Sequence, residues 1–262
     1  MSNPHANHDL GFARDLTKMI GRRRVLSLIT GTGLVFASGG TATALECVAL
    51  PWETAGPFPA DGTNRKNGQT VNSLTRDGVI RRDLRTSFGG MTAVADGVQL
   101  DLELTLVNAA DCSPLAGYAI YIWHCDRAGQ YSLYEATDTN YLRGVGVADA
   151  GGTVRFTTIV PGCYSGRWPH IHFEIFKSIG TAVGGEASVL TAQIALPEDH
   201  VAAVYASDSR YPSGTRNLGR LNLARDNVFR DNTPAQLVQQ TLIMTGDVQD
   251  GYLGRLVIPV DF

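Results

Sequence analysis

In "LDLELTLV" (100–107), Leu100, Leu102, Leu104 and Leu106 alternate with Asp101, Glu103 and Thr105. Apolar side chains at period two mark a half-buried β-strand. "GYAIYIWHC" (117–125) is instead a continuous apolar run, rich in aromatic and β-branched residues, which suits a strand buried on both faces. "GTVRFTTIV" (152–160), "PHIHFEIF" (169–176), "VLTAQIAL" (189–196) and "GRLVIPV" (254–260) continue the pattern, punctuated by Gly and Pro. Only 234–243 has helical character. Residues 45–97, with "TAGPFPADGTN" and "SFGG", read as a loop-rich arm. The pattern predicts an all-β chain: one β-sandwich over 98–262, the 45–97 arm packed on it, and few short helices.

Composition narrows little. The 262 residues are 44% hydrophobic and 18% charged, with a formal net charge of −3, which gives no electrostatic case for nucleic acid or an anionic membrane. The N-terminus is more informative. Arg22, Arg23 and Arg24 precede an apolar run from Val25 to Ala37, and small residues end in Ala42-Thr43-Ala44. A basic region, a short apolar stretch and an A-x-A site predict an export signal over 1–44 of the twin-arginine type. The apolar run is too short and glycine-rich for a membrane span, so no stable span is expected after cleavage. The address would be the bacterial periplasm or the medium. In an oxidising compartment Cys47, Cys112, Cys125 and Cys163 could form up to two disulfides, in any of three pairings. None has C-x-x-C spacing, which argues against a cysteine zinc site.

The candidate chemistry lies in "GRWPHIHFEIF" (166–176). On a strand, His170 and His172 project to one face, about 6.5–7 Å apart along the backbone, and both imidazoles can converge on one ion. Alone, H-x-H is equally compatible with packing or hydrogen bonding. Tyr164, in a Pro-Gly loop six residues earlier, and Tyr131, at the end of "DRAGQY", sit where packing alone does not require a tyrosine.

Taken in order, "IWHCDRAGQY", "RGVGVADAGGTVRFTTIVPG", Y-x-x-R-x-x-H-I-H-F and "TAQ", with "CVALPWETAGPFP" upstream, closely resemble the intradiol ring-cleavage dioxygenases. The resemblance covers 46–60 and 98–196. It implies a mononuclear non-haem Fe(III) held by Tyr131, Tyr164, His170 and His172, with a catecholic substrate opened between its two hydroxyls by O2 to a muconate-type product. Two phenolates suit a hard ferric ion, and imidazole also suits iron. By the same resemblance Tyr164 would leave the iron and act as base, while Arg167 and Gln193 would stabilise negative charge on the substrate. Pro57, Phe58 and Tyr134 are expected to line the substrate pocket. Phe58 and Pro59 stand where the family often has two tyrosines, and Trp168 and Pro169 depart from its usual R-P-x-H. A different reading keeps the sandwich as an exported binding module without catalysis; another uses H-x-H for zinc or copper but leaves the tyrosines unexplained. Nothing in the sequence fixes the oligomeric state, and a homo-oligomer is compatible with it.

Overall fold

A computed structural model describes residues 47–262 of the chain; the expected export signal lies outside the described residues. Ten strands form a two-stranded ribbon, β1 (Asp61–Lys66) and β2 (Gln69–Asn72), and two four-stranded sheets. One sheet has the order β6-β3-β10-β9, with β6 Thr153–Ile159, β3 Gln99–Asn108, β10 Gly251–Val260 and β9 Ile243–Asp247. The other has the order β5-β4-β7-β8, with β5 Arg143–Val147, β4 Ala119–Trp123, β7 His170–Phe176 and β8 Leu190–Ala195. All pairings are antiparallel except β3–β10. The sandwich is therefore present, and every strand the periodicity predicts forms within a few residues of its expected limits.

The core between the sheets takes alternate residues from each: Leu100, Leu102, Leu104 and Leu106 from β3, Ile120 and Ile122 from β4, Ile171, Phe173 and Ile175 from β7. The opposite face of β4 and β7 is buried too, because the arm covers it. Ala60, Leu74, Val79 and Phe88 of the arm cluster with Ala119, Tyr121, Trp123 and Tyr131. That second cover explains why β4 and β7 are buried at every position.

Several elements go beyond the sequence expectation. β5, in "RGVGV", is interrupted by glycines because core side chains occupy the space beside its backbone. A Cβ on Gly144 would lie 2.5 Å from Leu84 Cδ2, and one on Gly146 would lie 2.3 Å from Val154 Cγ1. The arm is not wholly loop: Asn67 and Gly68, at φ 50° and 79°, turn β1 into β2, as Asn-Gly does in a type I′ hairpin. The helical stretch predicted over 234–243 ends as α4 (Pro234–Gln240), and Ile243 already belongs to β9. Before it in the chain come three further helices, α1 (Ile179–Gly184), α2 (Glu198–Ser207) and α3 (Gly214–Leu218). Of these α2 is the longest, and it buries Val201, Val204 and Tyr205 at i, i+3, i+4 spacing.

The cysteines form one disulfide, Cys47–Cys112, with Cα atoms 5.8 Å apart; Cys125 and Cys163 are free and buried, so the allowance for a second bridge is not used. Among the described residues no helix is long and apolar enough to cross a membrane.

Candidate metal centre and its cavity

One row of paired residues crosses the arm-covered face of the second sheet. Arg143 on β5 pairs with Trp123 on β4, Trp123 with His172 on β7, and His172 with Gln193 on β8. The Trp123 indole stacks on the His172 imidazole, with ring centres 5.0 Å apart and planes 5° from parallel. This flat contact fixes the ring plane. His170, two residues earlier on the same face, is fixed differently: its Nδ1 lies 2.5 Å from the Trp168 carbonyl. A proton on Nδ1 leaves the Nε2 lone pair bare and directed inward, the tautomer a ligand needs.

Tyr131 follows a tight turn, in which the Asp126 carboxylate accepts from the Ala128 and Gln130 amides. Its own amide donates to Glu135 Oε2 at 3.0 Å, and its carbonyl accepts from the amides of Tyr134, Glu135 and Ala136. Tyr164 comes from the loop after β6. There Gly162 donates to the Asp126 carbonyl at 3.0 Å, and a Cβ on Gly162 would lie 2.5 Å from the Arg127 carbonyl oxygen. Only glycine lets the two tyrosine loops approach so closely.

The result is a convergence of four donor atoms. Tyr131 Oη lies 3.3 Å from His170 Nε2, 3.2 Å from His172 Nε2 and 3.4 Å from Tyr164 Oη. Tyr164 Oη is 3.2 Å from His170 Nε2, and the two Nε2 atoms are 3.0 Å apart. A cation about 2.0–2.1 Å from each donor, at angles of roughly 90–110°, separates neighbouring donors by about 2.9–3.4 Å. The four atoms fit such an ion.

Electrostatics agree. Burial, aided by neighbouring Arg167, pushes the His170 imidazolium down to about 3, and burial holds His172 well below its usual value. Burial also raises the Tyr164 phenol to about 12 and Tyr131 well above its ordinary value. Without a cation the cluster is four neutral groups with lone pairs crowded together. Both imidazoles are already in the neutral form that binds metal. Among the described residues no group of three or more His, Cys, Asp or Glu side chains is placed to hold a metal; the donors that converge here are two imidazoles and two phenols.

A cavity of about 460 Å³ opens beside the cluster, lined by Thr54, Gly56, Pro57 and Phe58 of the arm, Tyr131, Tyr164, Arg167 and His172, and Asn227 and Val228. Gly56, at φ +72°, puts its backbone against His172, where a Cβ would lie 3.4 Å from Cε1. Arg167 donates through Nε to Asp226 Oδ2 at 2.9 Å and through Nη2 to Gln193 Oε1 at 2.6 Å. Burial alone would raise the Asp226 carboxyl, but bonds from Arg167 and from the Trp168 and Val228 amides outweigh it and hold it below the ordinary range.

Residues 90–180 match a family model described as Dioxygenase. An intradiol ring-cleavage dioxygenase from Tetranychus urticae superposes with a TM-score of 0.61 at 22% identity, over 82% of this chain and 95% of that one. A second solved dioxygenase superposes with a TM-score of 0.60 at 24% identity, over 81% of this chain and 94% of that one. The chain has the intradiol dioxygenase fold. At these identities the solved structures speak for the fold alone. No match to this chain is found among curated proteins.

Within that dioxygenase fold the structure brings Tyr131, Tyr164, His170, His172 and Arg167 together. Pro57 and Phe58 line the cavity. Tyr134 does not: it stands behind Phe58, ring centres 4.9 Å apart, and its hydroxyl donates to Asn64. Gln193 is fully buried and away from the cavity wall. Its side-chain amide donates to the Thr54 carbonyl and its oxygen accepts from Arg167, so it meets the cavity only indirectly, through those two wall residues. Trp168, unexplained by the sequence, packs in the core and donates its indole N–H to the Leu196 carbonyl at 2.9 Å. Sequence reasoning missed Thr54, Asp226, Asn227 and Val228. Asp226 and its neighbours lie in "LARDNVFRD", which carries no motif, and only Arg167 in the folded chain picks them out.

Proposed function

We propose that this protein is an exported intradiol dioxygenase that cleaves a catecholic compound between its two hydroxyls and incorporates both atoms of O2. The convergence of two phenol oxygens and two imidazole nitrogens at 3.0–3.4 Å carries the reading. Tyr131, Tyr164, His170 and His172 would hold Fe(III), whose hard positive charge two ionised phenols offset. When bound, ferric iron supplies the Lewis acidity that ionises phenols and activates a catecholate toward O2.

The two tyrosines are unequal partners. Tyr131 is buried and anchored through both its amide and its carbonyl, whereas Tyr164 is only partly buried, on a loop between Gly162 and Gly166. Tyr164 is therefore the phenolate free to turn aside and accept a substrate proton at Oη. Arg167, on the cavity wall, spends two of its five N–H donors on Asp226 and Gln193 and keeps positive charge beside the oxygens of a bound catecholate. Pro57 and Phe58 give the cavity an apolar wall against which a single aromatic ring would pack. The name of the Tetranychus relative supports the reaction class.

The Cys47–Cys112 disulfide supports an oxidising compartment, in line with the Arg22–Arg23 signal. Mass analysis of the secreted protein should find a mature N-terminus near Leu45, and Arg22→Lys with Arg23→Lys should abolish secretion.

The central test is optical. Iron-loaded protein should be burgundy from phenolate-to-Fe(III) charge transfer and consume O2 with at least one of catechol, protocatechuate or hydroxyquinol. A colourless protein holding stoichiometric zinc would overturn the proposal.

A further inference from the structure

Asp226 is 59 residues from Arg167 in sequence and belongs to no motif, yet its carboxylate has no spare acceptor position. Oδ2 accepts from Arg167 Nε at 2.9 Å and from the Trp168 amide at 2.7 Å. Oδ1 accepts from the amides of Val228 at 2.9 Å and Phe229 at 3.3 Å. The side chain of Asp226 is 2% exposed and that of Arg167 14%, so the pair is shielded from solvent and salt. The two Oδ1 bonds form the Asx turn that folds Asn227 and Val228 onto the cavity. The two Oδ2 bonds hold the arginine on the adjoining wall. Phe229, fully buried, packs its ring 6.0 Å from the guanidinium carbon and closes the far side.

We infer that Asp226 is a positioning residue, which sets Arg167 and the Asn227–Val228 wall in one fixed relation around the substrate. The inference rests on the dioxygenase reading above. It separates two tasks: metal binding falls to Tyr131, Tyr164, His170 and His172, and the placement of charge and wall falls to Asp226. The separation holds because the approach to His170 has its own anchors. Trp168 Nε1 donates to the Leu196 carbonyl at 2.9 Å, and the Leu196 amide donates to the Pro169 carbonyl at 3.0 Å, neither of which involves Asp226. Asp226→Asn keeps the shape but, with its oxygen on the Val228 and Phe229 amides, turns its NH2 toward both the Arg167 Nε–H and the Trp168 amide; the arginine is released, while Trp168 stays held through its indole N–H on Leu196.

Two measurements test this, one of them independent of turnover. In metal-free wild-type protein labelled with 15N-arginine, the Arg167 Nε–H should exchange slowly with solvent, and in Asp226→Asn it should exchange rapidly. Free exchange in the wild type overturns the inference without any variant having to fold. In the iron-loaded protein, Asp226→Asn should lower kcat about 10–100-fold, the cost typical of supporting groups, with KM changed less. Iron content and the visible band should be retained. In an Arg167→Met background the same substitution should have little further effect on kcat. An unchanged kcat, loss of the band, or additive effects in the double variant overturn it. If wild-type protein consumes no O2 with any catechol, the dioxygenase reading fails, and the exchange measurement still decides whether Asp226 holds Arg167.

Discussion

The outer faces of the two sheets follow the same period-two alternation and arrive at opposite environments. On the first sheet Glu103 of β3 pairs with Arg155 of β6 and Arg255 of β10, and all three side chains are 30–45% exposed. On the second, Arg143, Trp123, His172 and Gln193 form a row of the same kind, all buried. The arm makes the difference. On the open face polar groups answer to water, their ion pairs are screened, and most changes are tolerated. Under the arm an unpartnered polar atom, such as Trp123 Nε1, His172 Nδ1 or Glu174 Oε2, has no water to offset its desolvation, so partners within the protein matter far more.

The sharpest contrast is functional. Tyr131→Phe removes one donor under the arm; it should bleach the visible band and lower turnover by more than the roughly 100-fold that supporting groups cost. Its metal-free stability should change little, since a neutral phenol at that position satisfies only crowded neighbours. Absorption spectra and O2 uptake on equal amounts of folded protein check both halves.

Next comes a buried cation. Arg143 donates to the Pro59 carbonyl at 2.9 Å, the Ser132 carbonyl at 3.0 Å and Ser132 Oγ at 2.9 Å, which ties the arm and the Tyr131 loop to β5. Arg143→Met should cost about 3 kcal/mol in urea unfolding, because the buried Ser132 carbonyl loses its donor and the Pro59 carbonyl keeps only the Tyr121 hydroxyl.

A pH effect belongs to the sandwich interior. Burial pushes the His124 imidazolium down to about 4, while Nδ1 and Nε2 bond the Cys125 carbonyl and Thr158 Oγ1. Above about pH 6.5 both folded and unfolded chains are neutral there, and its full contribution is present. As pH falls from about 6.5 toward 4, only the unfolded chain takes up the proton, so stability declines; below about 4 this group costs nothing further. The loss should be on the order of 3 kcal/mol. His124→Gln should reduce this loss in denaturation series at pH 7.5, 5.5 and 4.5; an equal loss in the variant would assign the acid sensitivity elsewhere.

The smallest effect is on the open face. Glu103→Gln removes a carboxylate shared by two arginines, yet it should cost under about 1 kcal/mol, less still in 0.5 M salt. A cost matching that of Arg143→Met would break the comparison.

Much of this was legible in the chain, for physical reasons. Period-two alternation is local, so β3, β6, β7 and β10 could be read directly, and with β7 the shared face of His170 and His172. β5 was hidden because glycines replaced the residues that would have marked it, at positions where neighbours leave no room for a Cβ. α2 was missed although Val201, Val204 and Tyr205 keep helical spacing. Tyr131 and Tyr164 stood out as tyrosines in loops, but their 3.4 Å approach depends on two turns meeting at Gly162.

The sequence by itself determined the strand pattern, the side of β7 that carries imidazoles and the supply of hard oxygen donors, because each depends on neighbours a few residues apart. The tertiary structure alone decided that this face would be dry, that Gln193 would serve Arg167 instead of the cavity, and that Asp226 would hold both the arginine and the wall. Those outcomes depend on which segments cover one another, and contact across 59 residues or more leaves no mark on local periodicity.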